Sequence, residues 1–267
     1  MRFALATGLA LGLMLSAPAA LAANGDPLPL NTPQGGWSFD SPVGMFNRAD
    51  LQHGFQVYKE VCSSCHSLNR VTFHTLDEKG GPEFTEPQAK AIAAGYKIAA
   101  GPNDKGDTVD DKGQPLMRSG ILADHFPAPF PNEQAARANN GGALPPDLSL
   151  IVKAREGGPD YVYSILTGFH KTPPAGFKVT DGKYYNPYFP GWNISMPPPL
   201  ADGQVTFVDG APNKVADEAK AVVTFLSWTS EPHLEDRHRI GVGVMVFLIV
   251  LSGLLYMSYR RVWKDAH

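Results

Sequence analysis

Residues 61–70 read VCSSCHSLNR. The chain holds only two cysteines, and both are here: Cys62 and Cys65, with His66 immediately after. Three chemistries use such a pattern: a redox dithiol, part of a metal site, or thioether attachment of a haem. The flanking chain discriminates among them. Upstream, Leu51, Phe55, Tyr58 and Cys62 fall at spacings of four, three and four, one face of a helix. With Asp50 as a candidate N-cap, a helix is expected over residues 51–65, carrying the cysteines on its last turn. A thiol oxidoreductase instead places its Cys-x-x-Cys at a helix N-terminus, where the dipole lowers the thiol pKa, inside a βαβ pattern; neither sign is found here. Zinc takes four donors, usually with a second short-spaced Cys or His pair. His74, His125 and His170 are scattered singly. Cys-x-x-Cys-His reads as c-type haem attachment. Cys62 and Cys65 would hold one covalent haem c, and the His66 imidazole is placed to bind its iron.

The two ends of the chain support an exported setting. Residues 1–22 have the form of a secretory signal peptide: Arg2, an apolar run over 3–15, and a small-x-small cleavage pattern at Ala20, Leu21 and Ala22. Residues 240–259, IGVGVMVFLIVLSGLLYMSY, carry no charge. At about 1.5 Å per residue they reach roughly 30 Å, the thickness of a bilayer core. Arg237 and Arg239 flank one side, and Arg260, Arg261 and Lys264 the other. The export signal orients this span, so residues 23–239 cross the membrane and the C-terminus stays in the cytoplasm. Three regions follow: signal peptide 1–22, exported haem domain 23–236, and anchor with short tail 237–267.

The whole chain carries −3. Without Arg2 and the +2 tail after Tyr259, the exported part carries −6, which argues against nucleic acid and for a basic partner, if any, and fits plain solubility equally well. With 27 Gly and 24 Pro, much of the chain must be loop. Helices are expected over 86–100, 132–138, 148–155, 160–166 and 215–228, and short β segments over 205–208 and 176–179. The run 101–113, GPNDKGDTVDDKG, reads as a solvated loop, and residues 23–47 as irregular. The fold class is therefore mainly α, a loop-rich c-type cytochrome domain with one C-terminal transmembrane helix. For a sixth iron ligand the contenders are Met117 and Met196, with Met45 too close to the first helix to judge. Met196 lies in NISMPPPL, where three prolines stiffen the chain after it; rigidity favours it over Met117.

Gly54, Tyr58 and Cys62 stand four apart, like the small glycine and aromatic of the first helix in c-type cytochromes. There that helix crosses the last helix of the domain, here 215–228 with Phe225 and Trp228. The segments RADLQHGFQVYKEVCSSCHSL, FPAPFPNEQAARANNGGALPPDLSLIVKAREGGPDYVYSILTGF, YYNPYFPGWNISMPPPL and AVVTFLSWTSEPHLEDRHRIG, spread over 48–241, resemble the cytochrome c1 family, the haem c subunit of the cytochrome bc1 complex. The resemblance implies Cys62 and Cys65 as haem attachment sites, His66 as proximal ligand and Met196 as distal ligand. It also implies Asn140, Arg155 and Tyr161 near the haem, with Arg155 partnering a propionate. It implies one-electron transfer from a Rieske iron–sulfur protein to a soluble c-type cytochrome, within a dimeric quinol:cytochrome c oxidoreductase that includes cytochrome b. The chain would be no enzyme on its own, and its haem domain would lie in the periplasm, held at the bacterial inner membrane. An alternative is a membrane-anchored c-type cytochrome donating to a terminal oxidase. Residues 70–120 and 170–186 match the family least.

Overall fold

Asn47, rather than Asp50, opens the first helix. Its Oδ1 accepts from the backbone N–H groups of Ala49 at 2.9 Å and Asp50 at 3.2 Å, satisfying two of the helix's orphan donors. Helix α1 therefore spans Arg48–Glu60, and Asp50 sits in its first turn, where a carboxylate favours the dipole. The helix stops at Glu60 instead of continuing to Cys65. Val61 is its C-cap, still donating to Val57 O, and Cys62–Ser64 form a single 3-10 turn. The Ser63 and Ser64 hydroxyls donate to the carbonyls of Lys59 and Val61 at 2.7 and 2.9 Å. Local side-chain bonds of this kind compete with helix continuation.

The computed structural model describes residues 26–265; the expected signal peptide lies outside them. It is mainly helical and loop-rich, ending in one apolar helix long enough to cross a membrane. Helix α2, Glu86–Ala94, is shorter than the expected 86–100. The chain turns at Gly95, a residue suited to ending a helix, and enters strand β1, Lys97–Ala99. This strand pairs antiparallel with β2, Met117–Ser119, placing Ile98 opposite Arg118. The acidic run 101–113 is the exposed excursion between them. There Asp110 Oδ1 accepts from the N–H groups of Lys112 and Gln114 at 2.8 and 2.9 Å, a turn-forming role. Helix α3, Glu133–Asn139, is capped by Asn132, and α4 spans Gly158–Gly168.

Residues 148–155 form turns instead of the expected helix. The first two amides are drawn elsewhere: Leu148 N–H donates to Ser67 O at 2.9 Å, and Ser149 N–H to Asp147 Oδ1 at 2.9 Å. Strands β3, Tyr184–Tyr185, and β4, Asn193–Ile194, make a second small ribbon. Neither 205–208 nor 176–179 forms a strand. Residues 205–208 lie as a strap over α1 and the next helix, α5 (Val215–Ser230). Val205 N–H donates to the Glu218 carboxylate at 2.9 Å rather than to a neighbouring strand. Helix α6 spans Leu234–Val262.

The core is built where α1 crosses α5. A Cβ on Gly54 would lie 2.1 Å from the Ala221 carbonyl oxygen and 2.7 Å from the Phe225 Cβ, so only glycine lets the two backbones approach this closely. Phe55 and Tyr58 meet the Phe225 ring at centroid distances of 5.8 and 6.0 Å. Trp228 lies one turn further on, against Gly81. Helix α5 is buried on nearly every face from Ala219 to Ser230. Its hydroxyls consequently bond back into the helix, as Ser227 Oγ does to Val223 O at 2.7 Å, so none of them is stranded in the core. The irregular N-terminal segment is fastened across the domain. Trp37 Nε1 donates to Asp160 Oδ1 at 2.7 Å, and Asn31 N–H to Ser164 Oγ at 2.7 Å.

Candidate functional site

The 3-10 turn brings Cys62, Cys65 and His66 together. The N–H groups of Cys65 and His66 both donate to the Cys62 carbonyl, at 3.1 and 2.9 Å. A second segment then grips this turn from across the chain. The His66 ring nitrogen Nδ1 lies 2.8 Å from the Pro146 carbonyl oxygen. A carbonyl only accepts, so Nδ1 carries the proton and Nε2 keeps its lone pair. This is the arrangement that metal-binding histidines use to fix tautomer and orientation. Burial lowers the His66 pKa, against opposing pulls from Pro146 and Asp147, and so favours the neutral, donor form.

Asp147 joins the same clamp. Its Oδ2 accepts from Ser67 Oγ at 2.7 Å and Asn69 N–H at 2.9 Å. Arg70 N–H reaches Ser149 Oγ at 3.1 Å. Burial pushes the Asp147 pKa up, but the bonds from Asn69, Ser149 and Ser67 outweigh it and hold the carboxyl below its usual range. Pro146, Asp147 and Ser149 were given no role in the sequence reading. The available signal was Pro145-Pro146, a rigid pair without amide donors, directly before an aspartate.

The two thiols form no disulfide. Cys62 lies against the main core, and burial pushes its thiol up to about 12. A disulfide oxidoreductase needs the opposite, a stabilised thiolate. The motif also follows the C-terminal end of α1, away from the helix N-terminus that would lower that pKa.

Met196 belongs to a different part of the molecule. It packs half-buried against the small cluster of Ile165, Tyr188 and Ile194. Its loop is anchored to α4 by the buried Asn186, whose Nδ2 donates to Ile165 O at 2.7 Å while its Oδ1 accepts from Tyr188 N–H at 3.1 Å. Gly168 permits this approach, since a Cβ there would fall 2.7 Å from Asn186 Oδ1. Asn186 was likewise missed in the sequence; a lone asparagine in a Tyr- and Pro-rich loop carries no periodic signal. Tyr161 touches both the main core and the Met196 cluster. Met117 is 53% exposed on β2, and Met45 lies beside the start of α6. Arg155 is exposed, and its charge acts on Tyr161. Asn140 ends α3, its Nδ2 donating to Ala136 O at 2.7 Å.

Unpaired thiols, a neutral imidazole with Nε2 free, and a thioether on an anchored loop make a donor set that fits a covalently attached haem with His/Met ligation. The comparisons with known proteins agree on the family. The model of the Cytochrome C1 family matches residues 37–266. The chain is 51% identical over 249 residues to the cytochrome b/c1 of Bradyrhizobium diazoefficiens, covering 86% of this chain but only 35% of that longer relative. It is 40% identical to the cytochrome c1 of Rhodospirillum rubrum, with 96% of each chain covered. Against the mitochondrial cytochrome c1 heme protein of Kluyveromyces lactis it is 47% identical, over 86% of this chain and 74% of the relative. The chain belongs to the cytochrome c1 family.

Proposed function

We propose that this chain carries one haem c, bound through thioethers to Cys62 and Cys65 and ligated by His66 and Met196, and that it transfers single electrons within a quinol:cytochrome c oxidoreductase. Haem c, when bound, supplies a one-electron ferric/ferrous couple. The observation that carries the reading is the His66 clamp: Nδ1 bonded to Pro146 O at 2.8 Å, which leaves Nε2 as the iron donor. The chain's own residues attach, orient and shield. The Cys62–Ser64 turn aligns both thiols with the imidazole, the Asp147 bonds hold that turn in place, and Asn186 holds the Met196 loop.

The donor in this reading is a Rieske iron–sulfur protein and the acceptor a soluble c-type cytochrome, with cytochrome b as a further neighbour in a dimeric complex. The names of the relatives, cytochrome b/c1 and cytochrome c1, support this assembly over direct donation to a terminal oxidase. Helix α6, 29 residues and about 43 Å long, anchors the domain in the inner membrane, with residues 23–236 in the periplasm and the tail in the cytoplasm. Residues 1–22 direct export.

Replacing Met196 by Leu tests the ligand set. The haem should stay covalently bound while its midpoint potential falls by on the order of 0.1 V or more, since methionine ligation raises the potential. An unchanged potential in that variant, with a large drop in Met117→Leu, would reverse the assignment.

A further inference from the structure

The turn over residues 41–46 presents an apolar tip beside the start of α6. Beneath it, Phe46 and the preceding Phe39 are buried with ring centroids 4.9 Å apart. The turn's outward side chains, Val43 and Met45, are 67% and 62% exposed. The turn is tight: Gly44 N–H donates to Ser41 O at 2.8 Å, and a Cβ on Gly44 would lie 2.6 Å from the Phe39 carbonyl carbon.

Two bonds fasten this tip to α6. His238 Nδ1 donates to Gly44 O at 3.0 Å, and Phe46 N–H donates to Glu235 Oε1 at 2.9 Å. The tip thus sits level with the head of the uncharged run that begins at Ile240. Between turn and helix lies a cleft of about 600 Å³, lined by Val43, Met45, Lys79, His238, Arg239 and Val242 among others. Its carboxylates are committed, Glu235 to Arg48 and Asp236 to Arg239. The charge the cleft presents at its rim is therefore the exposed Lys79 ammonium. Apolar side chains continuous with a lipid-facing helix, with a lysine cation at headgroup level, match a bilayer interface.

We propose that residues 41–46 form a second membrane contact, in which Val43 and Met45 enter the acyl boundary of the bilayer beside α6. The proposal rests on α6 being the membrane span, and its occupant is phospholipid. The exported domain is then held at two points on the bilayer, which resists rocking about the helix axis.

Nitroxide accessibility tests it. Met45→Cys and, separately, Val43→Cys would be spin-labelled in the intact complex, reconstituted into phosphatidylcholine and phosphatidylglycerol vesicles. The unsubstituted complex carried through the same labelling supplies the background. Labels at positions 245 to 249 of α6 give the lipid reference on all faces of the helix, and Val208→Cys, on a fully exposed residue, gives the aqueous one. The expected result is faster collision of the 43 and 45 labels with dissolved oxygen than with an aqueous nickel chelate, as at the lipid-facing helix positions. A ratio matching position 208, or shielding from both reagents by a neighbouring subunit, overturns the proposal. If no label at 245 to 249 favours oxygen, the span itself fails; if those do and 43 and 45 do not, only the turn fails.

Discussion

Two carboxylates in this domain titrate in opposite directions, for reasons visible in their partners. Asp147 accepts hydrogen bonds from Ser67, Asn69 and Ser149, which hold its pKa below the ordinary 3.8. A depressed carboxylate contributes stability above its unfolded value, and that contribution is lost as pH falls through the folded pKa. Asp147→Asn puts an NH2 donor where one of the two oxygens must accept, so it should cost about 1–3 kcal/mol at pH 7. In thermal melts of the detergent-solubilised protein, the gap to wild type should shrink below pH 3.8. Glu218 is the reverse case. It is fully buried on α5 with Oε1 bonded to Val205 N–H, while Oε2 has no hydrogen-bond partner. Burial raises its pKa above 4.5, with Asp202, Asp217 and Glu60 adding to the shift. Folding then favours the protonated acid, and stability declines as pH climbs from 4.5 toward the folded pKa, by at most about 1.4 kcal/mol per pH unit. Glu218→Gln keeps an acceptor for Val205 and removes the ionisation. Its melting temperature should gain on wild type as pH rises from 5 to 8, and a pH-independent difference would show that Glu218 does not titrate there.

At the scale of elements, the domain depends on one close approach. The α1–α5 crossing has no room for a methyl at Gly54, and the obstacle is the Ala221 backbone carbonyl rather than a flexible side chain. Gly54→Ala must push the helices apart or bend one of them, a cost of about 3 kcal/mol or more, well beyond the gain alanine brings to helix propensity. The Cys62–Ser64 turn follows α1 directly, so displacement of α1 carries the thiols with it. The expected outcome is a sharp loss of holoprotein, read as the ratio of Soret absorbance to total protein in membranes. Wild-type haem content and stability in this variant would mean that the crossing relaxes freely.

For the whole molecule, the start of α6 is fastened to the domain by side-chain contacts. The Arg48 guanidinium forks onto the Glu235 carboxylate at 2.8 and 2.7 Å and also reaches Glu83 at 3.0 Å. Leu234 is buried in the main core, and Glu231 pairs with Lys153 and Arg237. The first turn of α6 therefore belongs to the haem domain, and the helix runs unbroken through the boundary expected at 236. A chain ending after Arg239 keeps all of these contacts and should fold as a soluble cytochrome. One ending after His233 loses the Leu234 side chain and the Arg48–Glu235 pair, together worth about 3 kcal/mol. The shorter product should melt lower and accumulate less holoprotein. Equal melting temperatures would show that the junction adds nothing to the domain.

What the sequence by itself determined is chemistry that is local along the chain. Cys62, Cys65 and His66 are adjacent, the 240–259 span is contiguous, and the 3.6-residue period of α1 and α5 survives wherever one face meets a core. Short range is enough to read such features. What only the tertiary structure decided involves partners far apart in sequence. The helix expected over 148–155 gave way where the motif loop, about 80 residues upstream, takes the Leu148 amide and the Ser149 hydroxyl. Strand propensity at 205–208 yielded to a buried carboxylate on α5. The roles of Pro146, Asp147 and Asn186 stayed hidden because each acts through individual hydrogen bonds to distant residues. Such bonds leave no periodicity in the chain, and they exist only once the core has brought the segments together.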